Sequence, residues 1–242
     1  MQTCFGVMHT ETSSTSLSRS LIIWHPHLRT KHLAKVPVNT PARKRISKLT
    51  TEQRLALPLQ KSFRLSGDDK LLLSNINLLK KGCPLHILII GLWRPAINLH
   101  LKNLPNRPFI KTIEFDEPLL NFTTKHFNLV EDNRFTIATD MPPLQKWKNE
   151  NHKLDAIVMS SCYQDFEGID GIVCPGFRTT GQEMLISMYS VLKENGVMNV
   201  MIRSNNGGHE DVNEFIEDAK TLFRKDNCLL QKGDWDQVFL NE

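Results

Sequence analysis

Residues 86–116 read HILIIGLWRPAINLHLKNLPNRPFIKTIEFD, and this stretch decides the fold. The run His86–Ile90 is apolar and rich in β-branched side chains, the pattern of a parallel strand covered on both faces. Gly91 opens a turn, and Pro95 stands where a helix takes its first residue, a position at which the missing N–H costs nothing. Residues 110–115 make a second strand, which carries Glu114 and Asp116 to the carboxyl edge of the sheet. Strand, helix and strand form one βαβ unit, and an open α/β sheet binds its ligand at that edge. An acid so placed commonly holds ribose hydroxyls.

The turn itself is unusual. A nucleotide-type ligand needs glycines between strand and helix, because the backbone must bend sharply and approach the ligand without a Cβ in the way. Here the turn reads Gly91-Leu92-Trp93-Arg94-Pro95, with only the first glycine present. Two readings of Trp93 are open. In one the indole packs against the sheet and reshapes the crevice; in the other it swings aside or stacks on a ligand.

Outward from this unit the chain alternates. Residues 68–81 have a helical stripe in Leu72, Ile76 and Leu79, with Lys80 and Lys81 in the last turn and Gly82 as the stop. Residues 118–129 predict a second helix. Phe135–Ala138 predicts a strand ending on Thr139-Asp140, followed by a Pro142-Pro143 turn and a short amphipathic helix through Leu144 and Trp147. Leu154–Met159 is a fourth strand, ending at Ser160-Ser161-Cys162. Residues 163–178 are too long for a plain connection, and loops of that kind usually cover a site or bind a partner. Thr180 with Glu183 reads as a capping box, and Met184, Leu185, Met188, Val191 and Leu192 form the stripe of the helix it opens, with Gly196 after its end. Residues 197–202 form the fifth strand. A turn at residues 205–208 follows, beside a solvated His209. Val212, Phe215, Ile216, Ala219, Leu222 and Phe223 mark the last helix. Residues 228–231 and 237–240 then close the domain as a hairpin around Gly233-Asp234. The fold class is α/β: a doubly wound, seven-stranded, Rossmann-like sheet with a C-terminal antiparallel hairpin.

Composition divides the chain in two. Residues 1–80 hold 13 Lys+Arg against 4 Asp+Glu, and residues 81–242 hold 17 against 22, within a net charge of +4. Residues 1–60 therefore read as a basic, flexible N-terminal extension and residues 61–242 as the globular domain. The extension suits a transit peptide, a nucleic-acid-binding arm centred on Arg43, Lys44, Arg45 and Lys48, or a solvated tail; Leu21-Ile22-Ile23-Trp24 alternatively suits an edge strand of an N-terminal hairpin. His25, His27 and His32 lack Cys or carboxylate partners for a metal. No apolar run reaches membrane-span length. Cys4, Cys83, Cys162, Cys174 and Cys228 form no C-x-x-C pair and read as reduced thiols of a reducing compartment, cytoplasmic with mitochondrial as the alternative.

The order and spacing of PLHILIIG, IKTIEFDEPLL, FTIATD, LDAIVM and LKENGVMNVMI resemble the class I S-adenosylmethionine-dependent methyltransferases, in their spermidine synthase-like branch. Within it the chain resembles the C-terminal domains of the dual methyltransferases that act on the lysine and N-terminus of elongation factor one alpha. The resemblance covers residues 68–242; Glu114-Phe115-Asp116-Glu117-Pro118, similar to the family's V-E-I-D-P, and Cys174-Pro175 are its most specific pieces. It implies S-adenosylmethionine as cofactor, with Glu114 on the ribose hydroxyls, Asp140 on the adenine amino group, Asp116 supporting the strand end, and Gly91 and Ser160 lining the site. It assigns no catalytic residue and no metal. The chain departs from the family at Trp93, Arg94 and Pro95, and at Ser160, Ser161 and Cys162, where members place acids and where Asp165 is the nearest acid that fits. Spermidine synthesis needs carboxylates there to hold and deprotonate a polyamine, so that activity is disfavoured.

Three functions compete. One is methyl transfer to a protein amine, lysine or N-terminal, with weak or lost activity. The second is a non-catalytic scaffold or partner-binding subunit that keeps the fold, favoured by the joint loss of loop glycines and acids. The third is association with nucleic acid through the basic arm. A nicotinamide dehydrogenase would need the same absent glycines, and no G-x-S-x-G supports a serine nucleophile.

Overall fold

The computed structural model describes residues 4–13, 16–25, 28–39, 49–60, 65–73, 76, 84–140, 153–162, 171–176, 182–205, 209–223, 228–232 and 236–241. In chain order these hold β1 (Cys4–Ser13), β2 (Ser16–His25), β3 (Leu28–Val38), α1 (Thr51–Ala56), α2 (Gly67–Leu72), β4 (His86–Ile90), α3 (Pro95–Lys102), β5 (Phe109–Ile113), α4 (Glu117–Phe127) and β6 (Phe135–Ala138). There follow β7 (Leu154–Met159), β8 (Gly171–Cys174), α5 (Gln182–Val191), β9 (Leu192–Asn205), α6 (His209–Leu222), β10 (Cys228–Lys232) and β11 (Asp236–Asn241).

The main sheet runs β10-β11-β9-β7-β4-β5-β6, with β8 paired beside β9. β9, β7, β4, β5 and β6 are mutually parallel, and β11 joins β9 antiparallel, as the terminal hairpin requires. Two core layers explain the continuous apolar runs. Ile87 and Ile89 of β4, with Ala156 and Val158 of β7, face one layer, which holds Leu72, Trp93, Ile97, Leu119 and Phe127. Leu88 and Ile90, with Ile157 and Met159, face the other, against Leu185, Met188, Val212 and Phe215. Helices thus cover both faces, the doubly wound, Rossmann-like arrangement expected. Each large side chain fully buried in these layers contributes about 2–3 kcal/mol of transfer free energy.

Local signals set the boundaries. Pro95 starts α3 and Pro118 lies in the first turn of α4, whose N-cap Asp116 accepts from the Leu119 N–H at 3.2 Å. Asn128 ends α4 in the left-handed conformation, φ 53°, a cap that Asn tolerates.

Two expectations are corrected. Residues 4–38, expected within a flexible extension, form a three-stranded antiparallel sheet in the order β1-β2-β3, with Leu21–Trp24 inside β2. Leu17 and Val38 are buried against Leu57 and Leu59, and Val36 joins the main core. Arg19, 4% exposed, donates to the carbonyls of His126 (2.7 Å), Arg54 (3.1 Å) and Leu57 (3.1 Å). The long connection after β7 contains β8, which pairs antiparallel with residues 203–205 of β9 because β9 overshoots the predicted strand. The helix through Leu144 and Trp147, the cap residue Thr180, Asp165, the basic cluster 43–48 and the turns at 206–208 and 233–235 lie outside the described residues, as do Leu79 to Gly82. Among the described residues no helix is long and apolar enough to cross a membrane.

Candidate functional site

β4 is where the sheet changes direction: β5 and β6 build out on one side of it, β7 and β9 on the other. The carboxyl ends of β4 and β7 therefore mark the topological switch point of the sheet, the place where such sheets bind ligands. Gly91 leaves β4 with φ +98°, and a Cβ there would fall on the Ser161 backbone. Only glycine allows this turn to pass so close to the end of β7. Ser160 secures the passage: its N–H donates to the Ile90 carbonyl at 2.8 Å and its Oγ to the Gly91 carbonyl at 3.1 Å.

Glu114 follows β5 directly. It is 4% exposed, and its two carboxylate oxygens accept from the Leu92 N–H (2.6 Å) and the Asp116 N–H (2.8 Å). Desolvation by burial pushes its carboxyl up to about 7, against the lowering effect of those two N–H groups; the nearby Asp116 charge raises it further. Asp116 is also raised by burial, countered by the Leu119 N–H at its other oxygen. Its Oδ2 is buried without a hydrogen-bond partner among the described residues. Asp140 stands exposed just beyond β6, the neighbour of β5. Gly91, Glu114 and Ser160 thus converge through the 91–92 turn, Asp116 adjoins them through the α4 cap, and Asp140 lies one strand farther along the same edge.

Trp93 settles into the core. It is 2% exposed, within the layer that holds Leu72, Ile89 and Val158, as the packing alternative for the indole requires. Arg94 turns the same way. Its Nη1 lies 3.0 Å from Asp69 Oδ1 on α2, and its Nε 3.3 Å from Met201 Sδ on β9. Nothing in the sequence pointed to this pair, since Asp69 reads as an ordinary first-turn acid 25 residues away.

The expectation of reduced cysteines is corrected at the same edge. Cys162, just past β7, and Cys174, the last residue of β8, are joined by a disulfide across a separation of 12 residues. The signal was present in the sequence as two cysteines bracketing one long connection, but scattered spacing hid it. Among the described residues no group of His, Cys, Asp and Glu is arranged to hold a metal ion.

No protein-family model and no curated protein sequence matches the chain. Solved structures do. Human Methyltransferase-like protein 13 in complex with SAH matches with a TM-score of 0.60 at 19% identity, over 72% of this chain and 82% of that one. A probable spermidine synthase from Corynebacterium glutamicum ATCC 13032 gives 0.55 at 11% identity, over 99% and 77%. Spermidine synthase from Thermotoga maritima gives 0.50 at 14%, over 97% and 72%, a coverage that takes in the N-terminal sheet. At these identities the likeness is one of fold: the chain shares the Rossmann-like α/β fold of Methyltransferase-like protein 13 and of these spermidine synthases.

Proposed function

We propose that this chain is a methyltransferase-like protein that binds S-adenosylmethionine at the switch point between β4 and β7 and acts weakly on a protein amine, lysine or N-terminal. One observation carries the reading: a buried carboxylate at the end of β5, Glu114, is tied to the turn that leaves β4 through Gly91. The residues fit the cofactor in kind. Each Glu114 oxygen keeps a lone pair for a ribose hydroxyl after accepting one N–H, and Asp140 stands farther along the edge for the adenine amino group. Trp93 and Arg94 are drawn into the core on the α2 side.

When bound, the sulfonium supplies an already activated methyl group, so the protein needs to align the amine and strip its water rather than activate a nucleophile. Ser160 and Ser161 contribute no charge at the β7 end, and both are buried. A polyamine cation finds no carboxylate among these described residues; a neutral amine needs none. Weak activity is proposed on the same ground: an amine that arrives protonated finds no carboxylate at the β7 end among the described residues to take its proton.

A scaffold reading has its own support. Leu92, Trp93 and Arg94 are all buried, and both Glu114 oxygens already receive backbone N–H groups, so the turn is complete without ligand. Calorimetric titration of the full chain with S-adenosylmethionine and its demethylated product, beside Glu114→Ala, decides between the two. Micromolar binding lost in the variant is the expected result. No heat and no thermal shift at millimolar ligand would sink the cofactor reading and leave the scaffold.

A further inference from the structure

We propose that Cys162 and Cys174 form a reversible dithiol–disulfide site that locks the end of β7 to the end of β8 beside the Gly91 turn. β7 and β8 meet end to end along one side of β9: β7 pairs with it through Met159↔Val200, and β8 takes over at Cys174↔Arg203. Between these ladders the joint is held by the Gly176 N–H donating to the Ser161 carbonyl at 3.3 Å and by the disulfide. The same Ser161 backbone fills the space where Gly91 lacks a Cβ, so whatever fixes this joint fixes one wall of the switch point. This inference stands apart from the cofactor reading, because it concerns the wall and not its occupant.

The two sulfurs differ in access. Cys174 is fully buried, whereas Cys162 is only partly so. An external partner of the small-molecule disulfide class, such as oxidised glutathione, therefore reaches Cys162 first. The Cys162 thiol loses its proton to solvent, and its thiolate attacks the external disulfide, forming a mixed disulfide and releasing one external thiolate. Cys174, its thiol deprotonated in turn, attacks the Cys162 sulfur; the protein disulfide forms and the second external thiolate leaves. Both thiolates take up the protons shed by the protein. Two electrons pass from the cysteine pair to the external disulfide, and a reducing thiol pool runs the sequence backwards.

The test uses the full chain in glutathione buffers ranging from reduced to oxidised, with alkylation and peptide mass mapping, and amide exchange over residues 171–174. Expected is joint loss of alkylation at Cys162 and Cys174 as the buffer is oxidised, in folded protein, with β8 exchange slowed at least about tenfold in the oxidised form. Cys162→Ser is expected to exchange at the reduced rate in every buffer; should it not fold, the two forms of the wild-type chain decide alone. The proposal is overturned if the pair stays alkylated throughout, if the bond resists reduction until the protein unfolds, or if β8 exchange is equal in both forms. Neither readout involves a methyl donor, so failure here leaves the cofactor titration untouched.

Discussion

The two edges of the main sheet each hold a carboxylate that accepts a strand-end N–H, and they treat it differently. At the amino edge Asp155 accepts from the His86 N–H at 2.8 Å and is paired with Lys193 Nζ at 2.8 Å, the lysine 44% exposed. At the carboxyl edge Glu114 accepts two N–H groups in near-complete burial, and the charge nearest to it is a second acid, Asp116. The amino edge neutralises its acid with a solvated cation and serves the fold. The carboxyl edge keeps an acid that burial disfavours, the feature on which the cofactor proposal rests.

The sharpest way to break this contrast is the buried pair behind the 91–94 turn. Arg94→Met leaves Asp69 buried and uncompensated, and the expected cost is about 3–5 kcal/mol in urea unfolding; Asp69→Leu with Arg94→Met together recovers most of it. A cost under about 1 kcal/mol, the value of an exposed pair, would mean that the carboxyl edge is not held from the α2 side. Glu114 gives the next effect. Burial raises its carboxyl from an ordinary 4.5 to about 7, so between those values the folded state keeps a proton that the unfolded state has lost. Stability therefore falls as pH rises from about 4.5 to about 7, by about 3 kcal/mol at most, and then levels off. Glu114→Gln removes that slope, and unfolding midpoints at pH 5, 6, 7 and 8 for both proteins check it. Parallel curves would refute the assignment. The smallest effect is at the amino edge, where Lys193→Met is expected to cost less than about 1 kcal/mol. A loss as large as that of Arg94→Met would erase the distinction between the edges.

Much of this architecture was legible in the sequence where one periodicity dominates. β4, β5, β7 and the α6 stripe are long apolar patterns that only one packing satisfies, and Pro95, Pro118 and Asp116 punctuate them. β8 was not legible: Gly171-Ile172-Val173-Cys174 is too short to signal a strand, and its pairing depends on how far β9 overshoots. The N-terminal sheet was hidden for another reason. Its basic, hydroxyl-rich sequence lacks clean alternation, and one of its buried side chains is Arg19, which no hydrophobic pattern would place inside. At the candidate site, the placement of Glu114 at a strand end and of Gly91 in a turn was legible because strand ends and turns have sequence signatures. The Asp69–Arg94 pair and the Cys162–Cys174 bond are contacts between elements, fixed by the tertiary arrangement alone.

Arg19 also bears on the order of events in synthesis. Its guanidinium reaches the His126 carbonyl, 107 residues farther along the chain. A growing polypeptide cannot make that bond until His126 has left the ribosome, so the docking of this sheet on α4 waits for 107 further residues. Until then the sheet is held from the 54–60 side, through the Arg54 and Leu57 carbonyls and the packing of Leu17 and Val38 on Leu57 and Leu59.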